Sequence, residues 1–180
     1  MQVSFARAGA VLALAALLCS CGPVDPKKPP PKHRLEGSLS SLIDLGWDEA
    51  RILVTGTDFS LLFVRIRPAD PSADGGSAGA SEDYPIKITY ALLNDGPFGG
   101  GRVDLSELIP TGEHRAIVSR NVLADPRKTF PGITRGTLYM NRAPNANALV
   151  SGDFNVTFEN GVEAASGRTV FGPYDAKVVQ

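Results

Sequence analysis

Beyond position 21 this chain has no cysteine, and beyond position 33 it has one histidine, His114. The folded part therefore has no disulfide of its own and no thiolate for a zinc site. With a single imidazole, a Ser-His-Asp arrangement has one base to choose from, and no G-x-S-x-G elbow accompanies it. Tryptophan occurs once, at Trp47. No stretch reaches the roughly 20 consecutive apolar residues of a spanning helix. Positive charge is also in short supply. The chain has 18 Lys and Arg against 19 Asp and Glu, and residues 35–180 hold 13 against 18. That mildly acidic balance argues against a nucleic-acid partner, which requires a concentrated positive surface.

Both cysteines lie near the start, in LLCSCGPVDPKKPPPKHR. They follow a leader with one positive charge, MQVSFAR, and an apolar run of 11 residues, AGAVLALAALL. The run has the length of an export-signal core and is too short to cross a bilayer. Leu18, Cys19, Ser20 and Cys21 then form L-C-S-C, which resembles the lipobox of bacterial lipoproteins. The resemblance covers residues 1–22. It implies cleavage between Ser20 and Cys21, diacylglycerol on the Cys21 sulfur and an acyl group on the new amine. Cys19 is the poorer acceptor, because Leu18 would then occupy the small position. Gly22, where some lipoproteins held at the inner membrane have Asp, points by the same family rule to the outer membrane. An ordinary secretory signal is the competing reading.

The expected division is a signal peptide over 1–20, a lipidated cysteine with a basic Pro-rich tether over 21–34, and one domain over 35–180. Proline fixes φ and removes a donor, so the tether reads as extended polyproline-like chain. Some 13 residues at about 3.1 Å each span about 40 Å. The implied partner is a membrane, reached through lipid.

The domain reads as all-β. Phe154, Val156 and Phe158 alternate with polar residues, and Asn160-Gly161 predicts a tight turn with Val162, Ala164 and Ser166 on the return strand. Ile86, Ile88, Tyr90 and Leu92 alternate, as do Tyr174, Ala176 and Val178. In DFSLLFVRIRP both faces are apolar, which places that strand centrally. RILVTG, RAIVSRNVL and GTLYMNR add β-rich segments, and RVDLSELI reads as a strand or one helical turn. The expectation is an antiparallel β-sandwich or small barrel of eight or nine short strands.

Candidate chemistry is sparse. Asp70, Ser72, Asp74 and Gly75 echo a calcium loop, but Ser81 stands where the closing glutamate belongs, so a plain surface loop is favoured. Gly99, Gly100 and Gly101 lack phosphate-loop spacing and suit a turn or bulge. His114, with Ser119 and Asp104 nearby in sequence, is read as a surface histidine before a catalytic one. The carboxylate pairs Asp48/Glu49, Glu82/Asp83 and Asp104/Glu107 suit a glycosidase only at defined separations, and read first as surface charge. Trp47 either plugs one end of the core or stacks against a ligand; the core is favoured. The expectation is no catalytic or metal residue and no cofactor beyond the lipid on Cys21. Trp47, Asp70 and Asp74 are weak binding candidates. The expected role is a lipid-anchored cell-envelope module that binds or scaffolds an envelope protein or polysaccharide. The alternative is a small carboxylate-dependent hydrolase of envelope glycans.

Overall fold

The computed structural model describes residues 31–68, 80–93, 98–123 and 125–179. Residues 1–30, with Ser20 and Cys21, lie outside them, as do Asp70 and Asp74. Eleven strands are formed: β1 (His33–Arg34), β2 (Gly46–Trp47), β3 (Glu49–Val54), β4 (Asp58–Arg67), β5 (Ser81–Ala91), β6 (Gly101–Asp104), β7 (Ala116–Val122), β8 (Asp125–Thr129), β9 (Ile133–Met140), β10 (Leu149–Phe158) and β11 (Thr169–Val179). Nine make one sheet in the order β6-β9-β10-β11-β3-β4-β5-β7-β8, and β1 pairs separately with β2. The sheet curls into a half-barrel. Every pair in it is antiparallel except β11 with β3, where Ala176–Val179 run alongside Ala50–Leu53.

Period-two patterning explains the curl. β3, β4, β5, β10 and β11 each send one set of apolar side chains to the concave side, among them Ile52, Phe59, Leu61, Phe63, Ile86, Ile88, Phe154, Val156, Val170 and Val178, all buried. Aromatic rings link these strands. Phe63 lies 5.3 Å from Phe154 and 6.4 Å from Tyr174, while Phe59 stacks at 5.4 Å on both Tyr90 and Phe98. Offset and edge contacts at such separations add to what burial alone contributes.

An N-terminal arm completes this core. Leu35, Leu39 and Leu45 are buried in the same cluster. The arm is fastened to β11 by reciprocal Glu36–Phe171 backbone bonds of 2.9 and 3.0 Å, and by Ser38 and Thr169, each donating its amide to the other's hydroxyl. A side chain at Gly37 would run into the Thr169 carbonyl at 2.3 Å, and φ there is +113°, so glycine alone permits this approach. His33 and Arg34, read from sequence as the end of the tether, already belong to the fold through their pairing with Trp47 and Gly46.

The β10–β11 hairpin forms, but not with the expected turn. β10 ends at Phe158 and β11 starts at Thr169, so residues 159–168 are a loop. Neither Asn160 nor Gly161 adopts positive φ; Gly167 does, at +68°. Ser166 donates to the Glu163 carbonyl and Gly167 to that of Glu159, while Ala165 is buried and Val162 fully exposed. Burying Ala165 and closing these turns displaced the two-residue I′ geometry. β4 is internal, as its apolar faces predict, yet its outer side is only partly covered: Val64 is buried, Leu62 half-buried and Ile66 exposed. RVDLSELI resolves as β6 followed by a turn.

Phe63 joins β4 to β10 and β11 through its ring contacts, so Phe63→Ala should remove about 3–5 kcal/mol of stability. Chemical denaturation of the purified chain checks this through a lower midpoint at unchanged slope.

Candidate functional site

Carboxylates come first, because a hydrolase needs two of them free and facing each other. Here they are engaged. Asp48 accepts the Ile66 amide at 2.9 Å and the Lys32 amide at 3.3 Å. Glu49 and Glu82 both hold Arg51, Glu82 through two contacts of 2.7 and 3.0 Å. Asp83 is buried between Arg67 Nε at 2.5 Å and the Leu123 amide at 2.9 Å. Asp104 accepts the amide and hydroxyl of Ser106, and Glu107 takes Arg115 at 2.9 Å and the Tyr90 hydroxyl at 3.2 Å. Adjacent residues on a strand face opposite ways, so Glu82 and Asp83 on β5 are divided among different partners; Asp48, in the bend before β3, and Glu49 are likewise divided.

The electrostatics follow. The Arg51 hydrogen bonds, opposed by partial burial and helped by the Tyr84 hydroxyl, hold Glu82 below the usual carboxylate range. At Asp44 burial pushes upward. It is outweighed by the Arg65 hydrogen bond, the Gly46 amide and the charges of Arg65 and Arg34, so the net direction is down. Burial, then the nearby Asp153 charge, pushes the Tyr174 phenol well up. A lowered carboxylate is the signature of an ion pair, whereas a proton-donating acid is raised.

His114 is half-buried. Its Nε2 lies 3.1 Å from Glu159 Oε1, and it packs over Gly132, where a Cβ would come within 2.2 Å. No contact joins it to Ser119 or Asp104. Among the described residues, no group of three or more His, Cys, Asp or Glu is placed to hold a metal. Trp47 is buried, stacked on His33 at 4.4 Å and edge-on to Phe63 at 5.2 Å. It closes one end of the core and forms the floor of a cleft of about 510 Å³ with Asp48, Glu49, Ser151 and Asp175. Gly100 and Gly101 sit at positive φ, and a Cβ on Gly100 would strike the Arg142 backbone, so the glycines form a tight turn.

Sequence reading missed a groove of exposed aliphatic side chains. Leu93, Ile109 and Ile117 line one groove of about 460 Å³ with Ala91 and Thr89, rimmed by Asp58, Glu113, His114 and Arg115. Leu93, Ile117 and the neighbouring Leu108 are 48, 50 and 53% exposed. The groove is firmly mounted. Residues 107–115 fold back as a hairpin in which Ile109 and Glu113 bond at 2.8 Å, with Gly112 at φ +88° in the turn. Arg115 anchors that hairpin to β5: it donates to the Ala91 and Leu92 carbonyls and to Glu107, and its guanidinium lies 4.6 Å over the Tyr90 ring. Leu93 holds φ +52°, a conformation a leucine keeps only where its surroundings impose it. The three apolar residues come from separate segments, and only their exposure after folding marks them.

Comparison with family models, curated proteins and solved structures finds no match to this chain.

Arg65 is buried and takes its charge partner from half-exposed Asp44. Asp44→Asn should cost about 1 kcal/mol at neutral pH, the charged-bond value discounted for exposure. Because Asp44 is held low, its contribution is present above the ordinary carboxylate value and fades as pH falls through the lowered one. Urea unfolding of both chains from pH 7 to pH 3 should show the difference shrinking toward acid.

Proposed function

We propose that this protein is a lipid-anchored module of the bacterial cell envelope that binds a partner protein through the Leu93–Ile109–Ile117 groove. One observation carries the anchor: the L-C-S-C sequence at 18–21 between an export-type apolar run and a Pro-rich segment. Two or more fatty chains hold firmly where one does not, since each buried methylene contributes about 0.8 kcal/mol. Gly22 favours the outer membrane. The first strand starts at His33, so the tether is residues 22–32 and the half-barrel stands off the membrane by about 34 Å, at about 3.1 Å per residue.

The groove supports binding in preference to turnover. Aliphatic side chains exposed together on a rigid frame contribute when a partner removes them from water. Trp47, the aromatic that sequence offered for stacking on a glycan, is committed to the core. The carboxylates that a hydrolase would use are engaged by arginines, hydroxyls or backbone amides.

Two measurements test the reading. Cys21→Ser should abolish labelling by a fatty-acid probe and move the protein from the membrane to the soluble fraction; retained label refutes the anchor. A photo-crosslinker at Ile117 should give a discrete adduct in living cells that disappears when Leu93→Asp is added, while thermal unfolding stays cooperative. An adduct indifferent to Leu93→Asp refutes the groove.

A further inference from the structure

The charge on the apolar groove names what it takes. Asp58 pairs with Ala91 across the β4–β5 ladder, and directly opposed residues share a face. Thr89, two residues before Ala91 and so on the same face of β5, pairs with Ile117. Asp58 therefore stands on the side that carries Ala91 and Ile117. Glu113 is placed in the same way. Leu108 bridges to His114, and the Ile109 amide donates to the Glu113 carbonyl at 2.8 Å, which sets Glu113 opposite Ile109 in the 107–115 hairpin. Each carboxylate is thus the cross-strand neighbour of an apolar residue that lines the groove.

Neither carboxylate has a cation. Asp58 accepts the Thr57 hydroxyl at 3.2 Å, and no ion pair reaches Asp58 or Glu113 among the described residues. On the same rim Arg115 is paired with Glu107, and His114 lies 3.1 Å from Glu159. Among the described residues no other Lys or Arg lines the groove. What is left over is two negative charges beside an apolar floor. A cleft of one sign with low-dielectric walls focuses its field and concentrates groups of the opposite sign. An occupant without a cation would take water from these carboxylates and return no partner, which costs free energy. One with acidic groups would add like-charge repulsion.

We propose that the groove takes a polypeptide segment in which aliphatic side chains are flanked by lysine or arginine. The aliphatic groups cover Leu93, Ile109 and Ile117, and the cations meet Asp58 and Glu113. This rests on the groove being the contact surface and adds which partners it accepts. Charges at a rim act on encounter and on the rejection of wrong partners more than on total affinity, so selection is the property these two carboxylates set.

Two synthetic peptides are the probes. Both have a Leu-Ile-Leu-Val centre; one has two lysines at each end and its twin has glutamates in their place. Each is titrated onto the purified full chain while the amide NMR shifts of Ala91, Leu93, Ile109 and Ile117 are followed. The lysine peptide should give saturable shifts at these residues, half-maximal on the order of 1 mM, and the glutamate twin should bind about tenfold more weakly. Asp58→Asn combined with Glu113→Gln should bring the two peptides to within about threefold of each other, because the exposed ion pairs and the repulsions both go. Glu113→Gln alone, at an exposed hairpin position, should narrow the difference and serves if the double variant fails to fold. Equal binding of both peptides at the groove residues overturns the charge preference and leaves the groove standing. Shifts that fall elsewhere, or a lysine preference that survives the double variant, overturn it as nonspecific attraction to an acidic domain. Absence of groove shifts with either peptide also overturns it, and the Leu93-sensitive adduct at Ile117 then reports separately whether the groove is a contact surface.

Discussion

A half-barrel has a concave apolar side, and the fold depends on keeping water from it. Two devices do this. Strand side chains meet across the hollow through the rings of Phe63, Phe154, Tyr174, Phe59 and Tyr90. The N-terminal arm then adds Leu35, Leu39 and Leu45 to the same cluster. Apolar burial at about 25 cal/mol per Å² is the dominant favourable contribution in a domain without cross-links. The arm can lie so close only because Gly37 and Gly172 have no side chain to oppose it, one against the Thr169 carbonyl and the other against Leu35. The segment that leaves the tether is thus part of the core.

The arrangement of charge follows from that core. Arginines that fall on half-buried ladder positions need partners, and Asp44, Glu82, Asp83 and Glu107 provide them. This consumes the acids that sequence inspection leaves available for chemistry, and it explains why the lowered carboxylates mark ion pairs. Arg120 departs from the rule: its Nε and Nη1 are shut off from solvent with no hydrogen-bond partner among the described residues. It stands on the Val118 side of β7, whereas the exposed Ile117 stands on the other.

Strand alternation was legible in the sequence wherever one face is apolar and the other polar. β5, β10 and β11 follow directly from Ile86–Ile88–Tyr90, Phe154–Val156–Phe158 and Tyr174–Ala176–Val178. Other features depend on partners remote in sequence. β8, Asp125–Thr129, includes a proline and little apolar character; it is a strand because it lies at the sheet edge, where a missing amide is tolerated. The long 159–168 loop replaced a tight turn because Ala165 finds a buried place. Trp47 is buried, as the core reading expected, and Asp48, Glu82, Asp83 and Glu107 are held by arginines, backbone amides or hydroxyls. The apolar groove was not legible, since Leu93 and Ile117, from separate segments, line it together only after β5 and β7 pair. The L-C-S-C stretch that resembles a lipobox, by contrast, is local and is read without the fold.

The parallel neighbours β11 and β3 carry a consequence for how the chain comes to order. The last strand inserts between β10 and one of the first, so the middle of the sheet is missing until the final residues are free. Contacts of such long sequence separation are slow to form. A partly synthesised chain cannot close early around its own N-terminal half. Until β11 pairs, no strand joins the β3-β4-β5-β7-β8 block of the sheet to the β6-β9-β10 block.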